Sequence, residues 1–329
     1  MRTESTAADN AGMPFKRLFL GAFLVLLSIL IGMVVWQSRQ SQAEDLFCKT
    51  LRDRGCMYER AERFPAWLRT AVLRLCRFDL RRFDPIVLVI LDRNVEAANI
   101  DLSGLGRMGS LRLLIVEADL TTAEWKVVGD LNQLEELRVL NSHGCLLTAD
   151  FEQISRLRNL RRLVLKPAHL DTEGFRHLRK LPRLEALRIP RMYAYRDQPH
   201  PQHPQTVSNP KMKRVKPDAE ALRDIARLRS LRRLDFADCR EIGDEELLVL
   251  TSLLPDGSDP LPNLTELALQ NTSMNFFDGT TFANLRNLNY LSVSETRVDL
   301  SRMMQRLQRQ GLKAESVGSG NHSIIVLER

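Results

Sequence analysis

Leu160, Leu163 and Leu165, in the stretch NLRRLVLKPAHLDTEGFRHLRKLPRL, set a spacing of leucine-x-x-leucine-x-leucine that recurs along the chain. The same frame stands at Leu111/Leu114/Val116, Leu134/Leu137/Val139, Leu184/Leu187/Ile189, Leu231/Leu234/Phe236, Leu264/Leu267/Leu269 and Leu288/Leu291/Val293, with a weaker first copy at Ile86/Val89/Leu91. Where copies adjoin, their starts fall about 23 to 26 residues apart, within the roughly 20 to 29 of a strand-plus-helix repeat. One such match arises by chance in any leucine-rich chain. An ordered series at a common spacing does not.

In a strand, side chains alternate, so the second and third frame residues point to one face and the residues beside them to the other. A lone strand with one helix cannot bury its own apolar edge, so each copy needs a neighbour on both sides. The expected fold is α/β: a horseshoe-like solenoid with parallel strands inside and helices outside. Helix start signals support it. Thr121 with Glu124 forms a capping box, Asp171 precedes TEGFRHLRKL in a helical run to Leu181, Asp218 precedes AEALRDIARL, and Asp244 opens EELLVLTSL. Phe175, Leu178 and Leu181, and likewise Leu222, Ile225 and Leu228, recur at helical spacing as an inward apolar face.

Leu18 to Trp36, LFLGAFLVLLSILIGMVVW, carries no charge. As a helix it spans roughly 28 Å, against a hydrocarbon core of about 30 Å, so the reading is one transmembrane helix. Lys16 and Arg17 precede it while Glu44 and Asp45 follow, which places the amino end in the cytoplasm and the repeats outside it. Arg39, Arg52 and Arg54 blunt that asymmetry. A cleaved signal peptide ending at Ala43 is the competing reading, but its apolar core would be longer than usual. Residues 1–17 then form a cytoplasmic tail and 37–84 a juxtamembrane helical segment that caps the array, with helices interrupted at Gly55 and Pro65. The repeats take 85–317, with a Pro- and Gln-rich insertion at 190–217, and 318–329 is a carboxy-terminal capping strand. Leu184 and Leu231 stand 47 positions apart, about two repeat lengths, so the insertion has room for a degenerate repeat. Leu253 to Asn263 is a shorter insertion. The end of the chain reads as a hairpin turning at Gly318 to Asn321 that shields the last strand, as the amino-terminal helices shield the first.

The copies resemble leucine-rich repeats, and in detail the bacterial form met in planctomycete-type membrane-anchored proteins. LNYLSVSETRV places Thr296 and Val298 in that pattern, LTELALQNTSM places Thr272 and Met274, and LDTEGFRHL places Leu170, Gly174 and Phe175. LRRLDFADCREIGDEEL matches the variant with cysteine at the ninth position, Cys239. Ser142, Ala168 and Met192 depart from it, which predicts irregular turns there. The resemblance implies a membrane-anchored interaction scaffold rather than an enzyme.

The residues themselves agree that no catalysis is encoded. There is no phosphate-binding glycine loop, no HExxH and no GxSxG. His200 and His203 are too few and too loosely held for a metal site, so no metal or cofactor is expected. The formal charge of +7 is read as a solvated basic surface and not as a nucleic-acid footprint. Five cysteines, Cys48, Cys56, Cys76, Cys145 and Cys239, exclude a fully paired disulfide framework. Asn263, Asn271 and Asn321 begin N-x-S/T triplets.

Projecting the frame onto the exposed strand face yields the candidate site. The pairs are Leu88 and Ile90, Leu113 and Ile115, Glu136 and Arg138, Arg162 and Val164, Ala186 and Arg188, Arg233 and Asp235, Glu266 and Ala268, Tyr290 and Ser292. The first two pairs are apolar where solvent is expected, which implies a cover of cap helices or a partner. Arg138, Arg162, Arg188 and Arg233 form a stripe, with Arg161 and Arg232 beside it and Lys211, Lys213, Arg214 and Lys216 in the insertion. Guanidinium forks suit carboxylate or phosphate, so the expected ligand is an acidic protein partner. The alternative is a self-paired face, since Glu136, Glu185 and Asp235 lie within reach. Structural self-association and service as an enzyme's accessory subunit are the other readings of the whole chain.

Overall fold

The computed structural model describes residues 56–61, 86–91, 102–140, 145–166, 169–170, 172–190, 217–275, 284–294, 298–309, 313–317 and 324–328, with positions 44, 47, 49, 50, 52, 282 and 296. The chain falls into two compact units, Met1–Thr50 with Glu62–Asp84, and Leu51–Ala61 with Pro85–Arg329. Of the first, only Glu44, Phe47, Lys49 and Thr50 are described, and all are helical. No helix among the described residues is long and apolar enough to cross a membrane; the stretch Leu18–Trp36 lies outside them.

The second unit is built on one sheet. Its strands are β1 (Met57–Arg60), β2 (Ile86–Leu91), β3 (Leu113–Val116), β4 (Glu136–Val139), β6 (Arg162–Leu165), β8 (Ala186–Arg188), β9 (Arg233–Asp235), β10 (Glu266–Ala268), β11 (Tyr290–Ser292), β12 (Lys313–Val317) and β13 (Ile324–Glu328). Two short strands, β5 (Cys145–Leu146) and β7 (His169–Leu170), pair with each other apart from it. From β2 to β11 every neighbour is parallel and in chain order, so Val89, Leu114, Leu137, Leu163, Leu187, Leu234, Leu267 and Leu291 lie in one unbroken row. The periodic frame is therefore a spatial stack. All three frame residues of all eight copies are at most 2 % exposed.

The backbone explains the regularity. The carbonyl one residue into each frame accepts two N–H groups from the next repeat. Arg112 O takes those of Glu135 and Glu136, Glu135 O those of Arg161 and Arg162, and so on through Thr265 O with Asn289 and Tyr290. A backbone group buried between repeats must find a partner, and this arrangement supplies it identically each time.

Helices α1 (Thr122–Gly129), α2 (Thr148–Ile154), α3 (Phe175–Leu178), α4 (Ala219–Ala226) and α5 (Asp244–Thr251) follow successive strands and pack against one another in chain order. The last described helix, α6 (Leu300–Arg309), precedes the final hairpin. Trp125, Val128, Phe151, Ile154, Phe175, Leu178, Leu222 and Ile225 are buried toward the frame residues. The Thr121–Glu124 capping box forms, and Asp218 accepts the Ala221 N–H at 2.7 Å. The cap of α5 is Gly243 rather than Asp244: its N–H donates to Glu246 at 2.9 Å, while Asp244 Oδ1 accepts from the Asn275 N–H. The expected helix to Leu181 is shorter, a 3-10 turn at Thr172–Gly174 running into α3 and ending at Leu178. Pro182 disfavours helical backbone at Leu181 and stops it early.

Both ends of the sheet are closed by antiparallel strands. β1 pairs with β2, and β13 pairs with β11 while β12 lies outside it. The expected carboxy-terminal hairpin is present, but it begins at Lys313, ahead of the 318–329 capping range. At the amino end the strand β1 covers the edge, where helices were expected. An edge presents a line of unpaired N–H and C=O groups that only another backbone in extended form can meet.

The long insertion adds no strand to the row. β8 pairs directly with β9, Ala186 opposite Arg233, and α4 occupies the place that a helix takes in the other repeats. Leu184 to Leu231 thus contributes no strand between β8 and β9, and residues 191–216, where a degenerate repeat that has lost its strand would fall, lie outside the described residues.

Candidate functional site

The face of the sheet opposite the helices is organised in two rows, one per exposed strand position. Along it three zones follow one another. At β2 and β3 the row residues are apolar, with Leu88, Ile90 and Leu113 partly exposed and Ile115 at 9 %. At β4, β6 and β8 three arginines stand against one carboxylate. At β9 and β10 two carboxylates stand against one arginine, and β11 adds Tyr290 and Ser292.

All four arginines of the expected stripe lie on this face, and each already holds a carboxylate. Glu136, only 7 % exposed, receives Arg138 Nε on one oxygen at 2.5 Å and Arg162 Nε on the other at 2.6 Å. Arg188 Nε lies 2.9 Å from Asp235 Oδ2, and Arg233 Nε 2.9 Å from Glu266 Oε1. One position earlier in the frame, Arg112 meets Glu135 at 3.3 Å and Arg161 meets Glu185 at 3.6 Å. This is the self-paired arrangement weighed against the acidic-ligand reading. The four arginine side chains nevertheless remain 42 to 65 % exposed, and every contact uses Nε. A carboxylate partner therefore meets exposed guanidinium groups whose orientation is already set by an internal acid.

Beyond the stripe the face dips. Arg233, Asp235, Glu266, Ala268, Tyr290 and Ser292 line a shallow depression of about 470 Å³ over β9 to β11. Ala268, in register between Asp235 and Ser292, supplies the low floor, while Glu266 stands in register between Arg233 and Tyr290. Tyr290 is 49 % exposed, whereas Ser292 is 9 % exposed and its hydroxyl has no hydrogen-bond partner among the described residues. Sequence reading placed these residues on the face but did not distinguish them as a site. The available signal was the pair of small residues, Ala268 and Ser292, in register beside Asp235.

The rim of the repeats carries a second ladder that sequence reading missed. The residue just before each frame reaches back to the previous copy: Gln133 to Met108 O at 3.1 Å, Asn159 to Asn132 O at 2.7 Å, Asn263 to Arg229 O at 2.7 Å and Asn287 to Pro262 O at 2.7 Å. Asn263 Nδ2, the nitrogen a glycan would need, is thus engaged. Asn271 Nδ2 likewise donates to Asp238 at 2.9 Å, and both residues adopt positive φ. On the strands' other side Cys239 donates to Ile189 O at 2.8 Å, and Thr272 and Thr296 donate to Leu269 O and Val293 O. These are the positions the resemblance singled out.

The recurrent frame, its in-register parallel strands and these inter-repeat ladders decide the architecture. The fold is a leucine-rich-repeat solenoid. No family model matches the chain. F-box/LRR-repeat protein 12 of Mus musculus is 33 % identical over 135 residues, covering 37 % of this chain and 41 % of the relative, so the chain spans less than half the length of that curated relative. Among solved structures, an internalin of Listeria monocytogenes (inlF) is 18 % identical over 64 % of this chain and 55 % of its own, with a TM-score of 0.38. Internalin C2 of the same organism is 16 % identical over 67 % of this chain and 77 % of its own, with a TM-score of 0.41.

On the helical side of the solenoid, Arg179, Asp224, Arg227, Glu220 and Arg223 form a chain of ion pairs at 2.9 to 3.4 Å. The hydrogen bond from Arg227 holds the Glu220 carboxyl below its ordinary value. Burial, then Lys180 and Arg176, pushes His177 below the usual histidine value. Such exposed networks stabilise modestly and suggest no chemistry. Among the described residues no group of three His, Cys, Asp or Glu is placed to hold a metal. His200, His203, the lysines of the insertion, Ser142, Ala168, Met192 and Asn321 lie outside the described residues. Cys56 and Cys239 are buried thiols.

Proposed function

We propose that this chain is a membrane-anchored scaffold that holds a protein partner on the strand face of its solenoid and has no enzymatic activity of its own. The observation that carries the reading is the register: charged side chains of consecutive repeats stand in fixed rows, neighbours in a row about 4.8 Å apart, so that several can act on one segment of a partner. Arg138, Arg162, Arg188 and Arg233 are the residues that recognise an acidic stretch of the partner. The apolar segment Leu18–Trp36 anchors the chain with its amino end cytoplasmic and the solenoid on the other side. The turn residues Thr272, Thr296 and Cys239 support kinship with the bacterial form of the repeat.

Crosslinking of the full chain in its native membrane, followed by mass spectrometry, tests this reading. The expected result is a discrete protein partner whose crosslinks map to β4 to β9 and fall at least tenfold in the Arg162→Glu, Arg188→Glu variant. Unchanged capture by that variant overturns the assignment.

A further inference from the structure

The depression over β9 to β11 differs from the arginine stripe in charge, in shape and in chemistry. Two carboxylates and one guanidinium line it, where the adjoining zone has three arginines and one carboxylate; Asp235 is engaged through both oxygens, by Arg188 and the Ala237 N–H, whereas Glu266 meets Arg233 through Oε1 and carries a second oxygen. Tyr290 is about half exposed, in register between Glu266 and the partly exposed Val326 of β13. The buried Ser292 hydroxyl beside it has no partner among the described residues, so rotating about its Cα–Cβ bond breaks no hydrogen bond to them. A hydroxyl left in that state is one a ligand group can satisfy. An aromatic face next to a carboxylate is suited to a cation, which gains from the ring's quadrupole and from the ion pair together.

We infer that this depression is a specificity subsite for one basic side chain, lysine or arginine, of the same partner segment whose acidic residues lie over the arginine stripe. The inference rests on the reading of the strand face as a docking surface. Geometry sets the spacing. Arg162 on β6 and Glu266 on β10 are three strands apart, about 14 Å at the usual strand separation, and an extended segment covers that in about four residues. The partner motif is therefore an acidic residue followed four positions later by a basic one. Glu266 pairs with the cation, Tyr290 stacks on it, and Ser292 takes a hydrogen bond from or to the segment.

The test uses the full chain in detergent micelles and a fluorescein-labelled peptide, Ser-Gly-Asp-Gly-Ser-Gly-Arg-Gly-Ser, with versions carrying citrulline for arginine or asparagine for aspartate. Binding is read by fluorescence anisotropy. The expected result is a roughly five- to tenfold loss with citrulline, and a similar loss for the original peptide on Glu266→Gln or Tyr290→Ala. Both positions are exposed enough for these variants to keep the fold, and Ser292→Ala should give a smaller loss. Binding that falls with asparagine or Arg162→Glu, but is indifferent to citrulline and to Glu266→Gln, overturns the subsite and leaves the face. No binding by any version at millimolar peptide overturns the subsite and the docking reading together.

Discussion

Glu136 is a carboxylate almost enclosed by the two guanidinium groups it orients. Removing either arginine leaves the acid half satisfied, and removing the acid leaves two cations side by side on neighbouring strands. A double-mutant cycle of Glu136→Ala and Arg162→Ala, followed by urea denaturation, is expected to give a coupling of about 1 kcal/mol. Additivity would mean that the pair holds no energy. Glu136, Glu185 and Asp235 were legible in the sequence as partners within reach of the stripe, and each pairs with an arginine. Glu266 was placed beside Arg233 on the projected face but was not counted among the acids within reach of the stripe, and it pairs with Arg233. The asparagines before three of the frames, Asn159, Asn263 and Asn287, were visible too. What hid them is that a side chain reaching back one repeat has no signature in local periodicity.

Between elements, the closest constraint is at Gly174. A methyl group there would run into the ring of Phe151, which is fully buried and stacks edge-on against Phe175 with centroids 5.5 Å apart. The glycine lets the start of α3 approach α2, so its place in the repeat pattern is steric. Gly174→Ala is expected to destabilise the protein by about 1–3 kcal/mol in thermal or urea unfolding, whereas Gly106→Ala, which faces open space, should stay within roughly 0.5 kcal/mol. Helix existence was readable from caps and apolar spacing. β1 was not: its four residues alternate without strong apolar character, Met57 is 56 % exposed, and only the edge of β2 makes them a strand.

Across the molecule, stability is a sum over neighbours, so the cost of a change depends on whether it touches the row. Residues 191–216 do not separate β8 from β9. Replacing them with a glycine-serine linker of about eight residues is expected to leave unfolding cooperative and its free energy within roughly 0.5 kcal/mol. A broadened or biphasic transition would show that the segment contributes to the array. Sequence spacing left this open because it counts residues along the chain, while a solenoid counts partners in space. The two terminal strands bear on how such a molecule can change size. The strands that close the row, β1 beside β2 and β13 beside β11, both run against its polarity, so a new repeat set next to β2 or β11 would first have to displace one of them. Duplication or loss of an internal copy leaves both closing pairs in place, and is the route by which a lineage can change the length of the array without rebuilding its ends.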